Sequence, residues 1–238
     1  MKKALGIIPA RHDSTRFPGK PLAPILGKPM LQWVYEAASR AKSLERVIVA
    51  TDDIRILELA RHLGAEVVMT SSGHASGTDR AAEAAAGLDA SFVVNIQGDE
   101  PLLEAEMIDS LVSALTEGAA PMASLMARAG REEVLDRNVV KVVVDVHGFA
   151  LYFSRFPVPF GGTGDFFKHV GVYGYRRDFL LELSRMPSSG LEKAENLEQL
   201  RVLENGFKIK MVECGGAILS VDVPEDIIKV EKLLKKRL

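Results

Sequence analysis

Cysteine is almost absent from this chain of 238 residues, in which Cys214 is the only one. A single thiol excludes an internal disulfide, and a reducing cytoplasm is the simplest location for such a protein. Long apolar runs are missing as well, since no stretch approaches the roughly 18 residues that a membrane-spanning helix needs. The apolar stretch before Arg11 is too brief for the apolar region of a signal peptide. We therefore expect no membrane insertion.

An excess of charge of either sign is also lacking. Thirty Lys and Arg residues face 32 Asp and Glu residues, and the formal net charge is −2. Proteins that bind nucleic acid usually carry a basic domain or stripe, so we expect no nucleic-acid partner. With 47% hydrophobic and 26% charged residues the composition is that of a globular chain. Its length fits a single α/β unit.

Short β-rich segments alternate with helical patterns in the first half of the chain. Ile108, Leu111, Val112 and Leu115, for example, follow the i, i+3, i+4, i+7 spacing of an amphipathic helix. The strands lack polar alternation, which is typical of a mainly parallel sheet covered by helices on both faces. We therefore predict an α/β fold, in which ligands bind beyond the carboxyl ends of the strands. The predicted strands are residues 4–8, 46–50, 66–70 and 92–96.

The second half contains more strands and fewer helices. Proline and glycine predict a loop over 155–167. A helix is predicted from about Leu191 to Glu204, with Gly206 just beyond its end, and a final helix follows Pro224. No change in composition marks a linker, so we predict one domain over residues 1–238. The strand-like segments of this half are residues 139–146, 151–153, 169–175 and 208–212.

The loop "PARHDSTRFPGKP", directly after the first strand, presents the cations Arg11, Arg16 and Lys20. Three prolines restrict its backbone, while Gly19 permits a positive φ. Arginine binds phosphate oxygens in a bidentate manner and lysine acts as a point charge, so the motif predicts a polyphosphate site. The alternative is a solvated loop. Neither the Walker A pattern nor the dinucleotide-binding glycine pattern fits.

Two carboxylates are candidate ligands for a hard cation. Asp99 follows the strand at 92–96, and magnesium typically takes one or two protein carboxylates and fills its remaining positions with water and phosphates. Asp99 could instead cap a helix after Pro101. Asp222 has the same two alternatives, as a cap of the last helix or as a second metal ligand. Sequence spacing alone does not show whether the two meet.

The segment "HASGTDR" at 74–80 also has two interpretations. Ser76, Gly77 and Thr78 could offer hydrogen bonds to the edge of a base. They could equally begin a helix, with Ser76 or Thr78 as its cap and Asp79 interacting favourably with the helix dipole.

Further polar residues occur within apolar segments of the second half. Arg155 ends an apolar strand, where its charge needs an anion or solvent. His169 and Tyr173 lie on one face of a strand by alternation, and a histidine in such a run is more often structural than a ligand. Glu198 and Gln199 lie beside the apolar face of a predicted helix, where most such residues are simply solvated.

Six segments taken together resemble the CMP-Kdo synthetases, or 3-deoxy-manno-octulosonate cytidylyltransferases. This resemblance spans nearly the whole chain and implies a Rossmann-like nucleotidyltransferase fold. It implies transfer of CMP from CTP to Kdo with release of pyrophosphate, which activates the sugar for lipopolysaccharide biosynthesis. It also implies a homodimer, built partly through a subregion of about 135–190 that covers the sugar site. The segments are "IPARHDSTRFPGKPL", "NIQGDEP", "YFSR", "KHVGVYGYR", "LEKAENLEQLRVLENG" and "VDVPEDI".

The resemblance further implies roles for individual residues. Asp99 and Asp222 are similar to the ligands of Mg²⁺ and, with Arg16 and Lys20, make up the catalytic set. Two alternatives stay open: a cytidylyltransferase for a related sugar acid, such as 8-amino-Kdo or sialic acid, and a nucleotide-binding relative without turnover. Contacts with CTP are implied for Ala10, Arg11, Ser14, Thr15, Arg16, Lys20, Ser76, Gly77 and Thr78. Contacts with Kdo are implied for Gln97, Arg155, His169, Tyr173, Glu198 and Gln199.

Overall fold

A nine-stranded sheet lies at the centre of the protein in a computed structural model, which describes residues 3–13, 16–161 and 166–237. Seven strands follow the order β11-β7-β10-β6-β1-β4-β5, and β8 pairs with both β10 and β9. A separate two-stranded hairpin is formed by β2 and β3. The strands are β1 Ala4–Ala10, β2 Pro24–Ile25, β3 Lys28–Pro29, β4 Arg46–Thr51, β5 Glu66–Met69, β6 Phe92–Ile96, β7 Met122–Ala129, β8 Lys141–Val144, β9 Ala150–Ser154, β10 Phe166–Arg176 and β11 Ile209–Glu213.

Helices cover both faces of this sheet. One core cluster joins the sheet to α1, α2 and α4, and a second joins it to α3, α6 and α8. Adjacent residues of β1 such as Ile7 and Ile8 are both fully buried, in different clusters, which explains the absence of polar alternation. The predicted fold class is confirmed. The helices are α1 Met30–Ser39, α2 Ile54–His62, α3 Gly77–Ala86, α4 Ala105–Glu117, α5 Arg131–Leu135, α6 Arg177–Leu183, α7 Gly190–Glu195, α8 Gln199–Glu204 and α9 Asp226–Leu234.

Strand β10 changes partners along its length. Its second half pairs antiparallel with β6, whereas Phe167 and Lys168 in its first half pair with β8. The β8–β9 hairpin therefore continues the sheet at the point where β6 ends. Because β10 pairs with β6 up to Ile96, it lies beside the segment 97–99, and a Cβ on Gly171 would be 3.8 Å from Cγ of Gln97.

A third, smaller core lies beside this space. Helix α9 packs on the β2–β3 hairpin, with Ile25, Met30, Val221 and Val230 buried between them. Leu26 has a left-handed φ of 48°, and its backbone N–H donates to Glu231 at 2.9 Å. The core thereby fixes the segment around Val221 against the loop that follows β1.

Two elements differ from the prediction. Strand β7, whose sequence is MASLMARA, was not predicted, because it lacks the β-branched residues that mark strands. The single helix predicted over 191–204 is wrong: the chain forms α7 and α8, separated where Asn196 takes a left-handed φ of 53°. Gly206, with φ of 79°, follows the end of α8 as predicted.

Candidate active site

A cavity of about 250 Å³ lies beyond the carboxyl ends of β1 and β6. The N-terminus of α3 and the segment before α9 complete its wall. Nine residues implied for the site from the sequence line it together. The lining consists of Pro9, Ala10, Arg11, Arg16, Lys20, Pro21, His74, Ser76, Gly77, Arg80, Gln97, Gly98, Asp99 and Asp222.

The loop after β1 folds back on itself through Gly19. This residue has φ of 71°, and its N–H donates to the carbonyl of His12 at 2.9 Å. A Cβ there would lie 3.3 Å from Nε2 of His12, so both the backbone conformation and the space favour glycine. The turn leaves Arg11 and Arg16 exposed at the cavity. Ser14 and Thr15, implied as nucleotide contacts, lie outside the described residues.

Lys20 connects two segments that are distant in sequence. Its Nζ donates to Oδ2 of Asp99 at 2.5 Å and to the carbonyl of Val221 at 2.9 Å. A lysine ammonium has three donors, so one remains for a further acceptor in the cavity. Arg16 donates to Oδ1 of Asp222 at 2.8 Å. Each candidate metal carboxylate is therefore paired with one cation of the loop.

Asp99 and Asp222 are held in the same cavity by the backbone. The N–H of Val221 donates to the carbonyl of Asp99 at 2.9 Å, which fixes the two segments side by side. Neither carboxylate caps a helix, because the cap residues of α4 and α9 are Glu104 and Glu225. The capping alternative is wrong for both.

Glu100, which follows Asp99 in the same motif, is a buried carboxyl beside this pair for which the sequence predicted no role of its own. It accepts a hydrogen bond from Oγ of Ser220 and is 4% exposed. Burial, followed by the nearby charge of Asp99, raises the pKa of Glu100 to about 8, and Asp222 adds to the effect. Both aspartates thus lie close enough to one group to act on it electrostatically.

The donor set of the cavity fits magnesium better than a protein-saturated metal site. Within 3–13, 16–161 and 166–237, no cluster of three or more His, Cys, Asp or Glu side chains could hold a metal ion. Two carboxylates beside a cationic loop match the usual coordination of Mg²⁺, which takes one or two protein carboxylates and leaves its other positions to water and substrate phosphates.

Helix α3 brings its N-terminus to the cavity. Ser76 caps the helix in a capping box with Asp79 and also lines the cavity, so both interpretations of this segment hold in part. A Cβ on Gly77 would lie 3.3 Å from Cγ of Pro9, which shows how closely α3 approaches β1. Thr78 is buried, and its side chain bonds to Tyr175 and Glu198 rather than lining the cavity.

Arg80 and His74 line the cavity but were missed from the sequence. The guanidinium of Arg80 is almost fully buried; it donates to Oδ2 of Asp52 at 2.8 Å and to the hydroxyl of Thr70. Arg80 lies one helical turn after Ser76, so the i, i+4 spacing could have placed it on the same face.

A band of polar side chains extends from Ser76 towards the proposed sugar residues. Glu198 hydrogen-bonds to the side chains of Ser76 and Thr78, while burial raises its pKa. Gln199 is 4% exposed, and its Nε2 has no hydrogen-bond partner among the described residues. Nδ2 of Asn95 likewise has no hydrogen-bond partner among the described residues. Asn95 is fully buried, and the sequence did not indicate it as a site residue.

His169 and Tyr173 lie on one face of β10, as predicted, with ring centroids 5.3 Å apart. Burial lowers the pKa of His169 to about 3, and Nε2 of the ring lies 2.9 Å from Oγ of Ser124. The pKa of Tyr173 is raised by burial and by the charges of Glu198 and Glu100.

Arg155 lies apart from the cavity. Its guanidinium donates to three backbone carbonyls, those of Arg137, Glu195 and Asn196, at 2.8–3.2 Å. Its role towards a sugar carboxylate stays a prediction, and such a role requires these bonds to be exchanged.

The low pKa of His169 predicts a pH dependence of stability. The folded chain binds a proton at this group less readily than the unfolded chain. The free energy of unfolding therefore decreases as pH falls from 6.5 towards 3. The slope reaches at most about 1.4 kcal/mol per pH unit. Urea unfolding should therefore give a shallower acid slope for His169→Gln than for wild type. The exposed His147→Gln serves as control, and parallel slopes for both variants would contradict the prediction.

Comparison with known proteins adds relatives along the whole chain. A family model described as cytidylyltransferase matches residues 5–210. The 3-deoxy-manno-octulosonate cytidylyltransferase of Syntrophotalea carbinolica is 49% identical over 96% of this chain and 97% of its own. The enzyme of the same name from Geobacter sulfurreducens is 50% identical over 96% of this chain and 98% of its own.

Solved structures show the same similarity. The structure of CMP:2-keto-3-deoxy-manno-octonic acid synthetase complexed with CTP superposes with a TM-score of 0.94 at 41% identity, covering 99% of this chain and 100% of that one. A cytidylyltransferase from Leptospira borgpetersenii, with a TM-score of 0.68 and 18% identity over 100% of this chain and 89% of its own, shares the fold alone.

Proposed function

Since the chain belongs to the cytidylyltransferase family and to its 3-deoxy-manno-octulosonate branch, we propose that the cavity beyond β1 and β6 is where it transfers CMP from CTP to the anomeric hydroxyl of Kdo. The products are CMP-Kdo and pyrophosphate. The observation that carries the assignment of the site is the joining of the β1 loop to both acidic segments, through Lys20 to Asp99 and through Arg16 to Asp222.

The binding of CTP is proposed to exchange the partners of these four side chains. The triphosphate is a stronger anion for Arg16 and Lys20 than a single carboxylate, because arginine binds phosphate through two donors and Lys20 has a third donor free. Moving the cations to the phosphates frees Asp99 and Asp222. The two cations then stabilise the charge that develops on the departing pyrophosphate.

Asp99 and Asp222 are the proposed ligands of Mg²⁺. When bound there, the ion would polarise the α-phosphate and lower the pKa of the attacking hydroxyl. Neither nearby histidine is placed to take that proton. His74 lines the cavity, but its Nε2 is hydrogen-bonded to Glu83. His169 does not line the cavity, and burial lowers its pKa to about 3. The chain's own contribution is alignment of the two substrates and neutralisation of charge.

The sugar acid is proposed to bind beside the cavity, along the band of polar side chains that begins at Ser76. Gln97 and His169 are proposed to contact it as well. Gln97 lies at the junction, because it lines the cavity and its Nε2 lies 3.5 Å from Oδ1 of Asn95. Glu198 links this band to α3 through Ser76. In this proposal the sugar acid lies next to the nucleotide.

A pyrophosphate-release assay tests the proposed substrate. In the presence of Mg²⁺ the purified chain should release pyrophosphate from CTP when Kdo is added. The kcat/KM for Kdo should be at least ten times that for 8-amino-Kdo or sialic acid. A reversed order would assign a different sugar acid. Tight binding of CTP without release for any acid would show a nucleotide-binding protein without turnover. Omission of Mg²⁺ should abolish release.

A homodimer is also part of the proposal. Strand β9 pairs only with β8 among the described strands, and exposed apolar side chains lie on and beside this hairpin. Leu151 is 62% exposed and Phe156 60%, while Phe160 and Val146 are almost fully exposed. An exposed apolar edge of this kind typically marks an interface.

Light scattering on Leu151→Asp tests that interface. We expect wild type to elute as a dimer and the variant to dissociate, because a carboxylate cannot be buried unpaired at an apolar contact. Ile228→Asp, at 60% exposure on α9, is the matched control and should stay dimeric. A dimeric Leu151→Asp would exclude this face.

A cytoplasmic location and supply of activated sugar for lipopolysaccharide biosynthesis complete the proposal.

A further inference from the structure

Strand β10 has an irregularity opposite β7. Val170 pairs with Leu125 and Tyr173 pairs with Ser124, so Gly171 and Val172 have no opposing residue on β7. An extra stretch of this kind interrupts the ladder and redirects side chains. Oγ of Ser124 lies within hydrogen-bond distance of the carbonyls of Val170 and Val172 there, at 3.4 and 2.9 Å.

The hydroxyl of Ser124 has a third neighbour, Nε2 of His169, at 2.9 Å. A serine hydroxyl carries one proton and two lone pairs. The carbonyl of Val172 can only accept, and at 2.9 Å it is the nearer of the two carbonyls, so the proton of Ser124 points to it. Towards His169 the hydroxyl oxygen is therefore the acceptor, and Nε2 must carry the N–H.

The other ring nitrogen follows from this assignment. Burial keeps His169 neutral, so only one nitrogen is protonated. Nδ1 is then an unprotonated acceptor, and no described residue donates a hydrogen bond to it. Phe153 packs edge-on against the ring with centroids 5.2 Å apart, and Tyr173 lies on another side at 5.3 Å, which holds the ring in place.

We propose that Ser124 is a positioning residue for the acceptor sugar: by donating its proton to Val172 it fixes His169 as the Nε2–H tautomer, so that Nδ1 accepts a hydrogen bond from a sugar hydroxyl. The sugar contact rests on the function proposed above, whereas the tautomer does not. Since Nδ1 has no proton to offer, His169 selects for a hydroxyl at this point and against a carboxylate. The acidic group of the substrate is bound elsewhere.

Nitrogen-15 NMR of the histidine-labelled protein tests the tautomer directly. The chain has five histidines, and the signals of His169 are those lost in His169→Gln. Long-range ¹H–¹⁵N correlations should show a pyrrole-type Nε2 and a pyridine-type Nδ1 from pH 6 to 8. The spectrum of the wild-type protein is sufficient to overturn the proposal, which fails if Nδ1 carries the proton. In Ser124→Ala the two tautomers should mix, while Ser124→Thr should keep the wild-type pattern.

Kinetics separate positioning from a purely structural role. Ser124→Ala should raise KM for the sugar acid about tenfold, with KM for CTP and kcat changed less than twofold, and Ser124→Thr should restore most of the loss. Equal changes in both KM values, or none, would overturn the sugar contact even where the tautomer shifts. If wild type turns over no sugar acid, the proposed function and the sugar contact fail together, and the NMR result still decides the tautomer.

Discussion

Asp99→Asn is expected to lower kcat by about 10³-fold while the chain stays folded. A metal ion at the reacting phosphate supplies several kcal/mol of transition-state stabilisation, and each 1.36 kcal/mol corresponds to a factor of ten in rate. Asparagine keeps the size of the side chain and one oxygen but removes the charge. The hydrogen bond between the backbones of Val221 and Asp99 does not involve the side chain and should persist.

The measurement is pyrophosphate release over a range of Mg²⁺ concentrations. The apparent affinity for Mg²⁺ should fall together with kcat, which distinguishes a metal ligand from a residue that only holds Lys20. Asp89→Asn, which removes the same charge at a side chain that is 92% exposed, should behave as wild type. Near-normal release by Asp99→Asn would remove Asp99 from the metal site.

Most of the sheet could be predicted because its strands are continuous apolar runs. The segments at 4–8, 46–50, 66–70 and 92–96 all became strands of one sheet. Strand β7 could not be recognised, since methionine and alanine are also good helix formers and its strand state depends on pairing with β10 and β11. The break at Asn196 was likewise invisible to periodicity, because leucines continue the helical pattern on both sides of it.

The site was predictable where a motif follows a strand. Arg11, Lys20, Gln97 and Asp99 lie beyond the ends of β1 and β6, which are neighbours in the sheet, and they share one cavity for that reason. The meeting of Asp99 with Asp222 was not predictable from spacing, because it depends on long-range bonds made by Val221. The same holds for Ser124, whose role arises from an irregularity in pairing between β7 and β10.

Lys20→Met is expected to reduce kcat/KM for CTP by up to about 10³-fold. An ion pair at about 4 Å contributes roughly 4 kcal/mol at an effective dielectric near 20, before desolvation. Lys20 is placed to supply such a pair, because its side chain is only 14% exposed and two of its three donors are already fixed by Asp99 and Val221. Methionine retains the apolar stem but neither connects the acidic segments nor binds phosphate.

The variant also tests whether the lysine acts on the nucleotide or only on the architecture. Lys20→Arg keeps the charge but not the compact ammonium, so it should recover only part of the affinity for CTP. Lys28→Met, at a half-exposed lysine paired with Glu36 outside the cavity, should leave KM for CTP unchanged. If Lys20→Met bound CTP as tightly as wild type by calorimetry and lost only stability, the lysine would be a structural bridge between Asp99 and Val221. The phosphates would then depend on Arg11 and Arg16 alone.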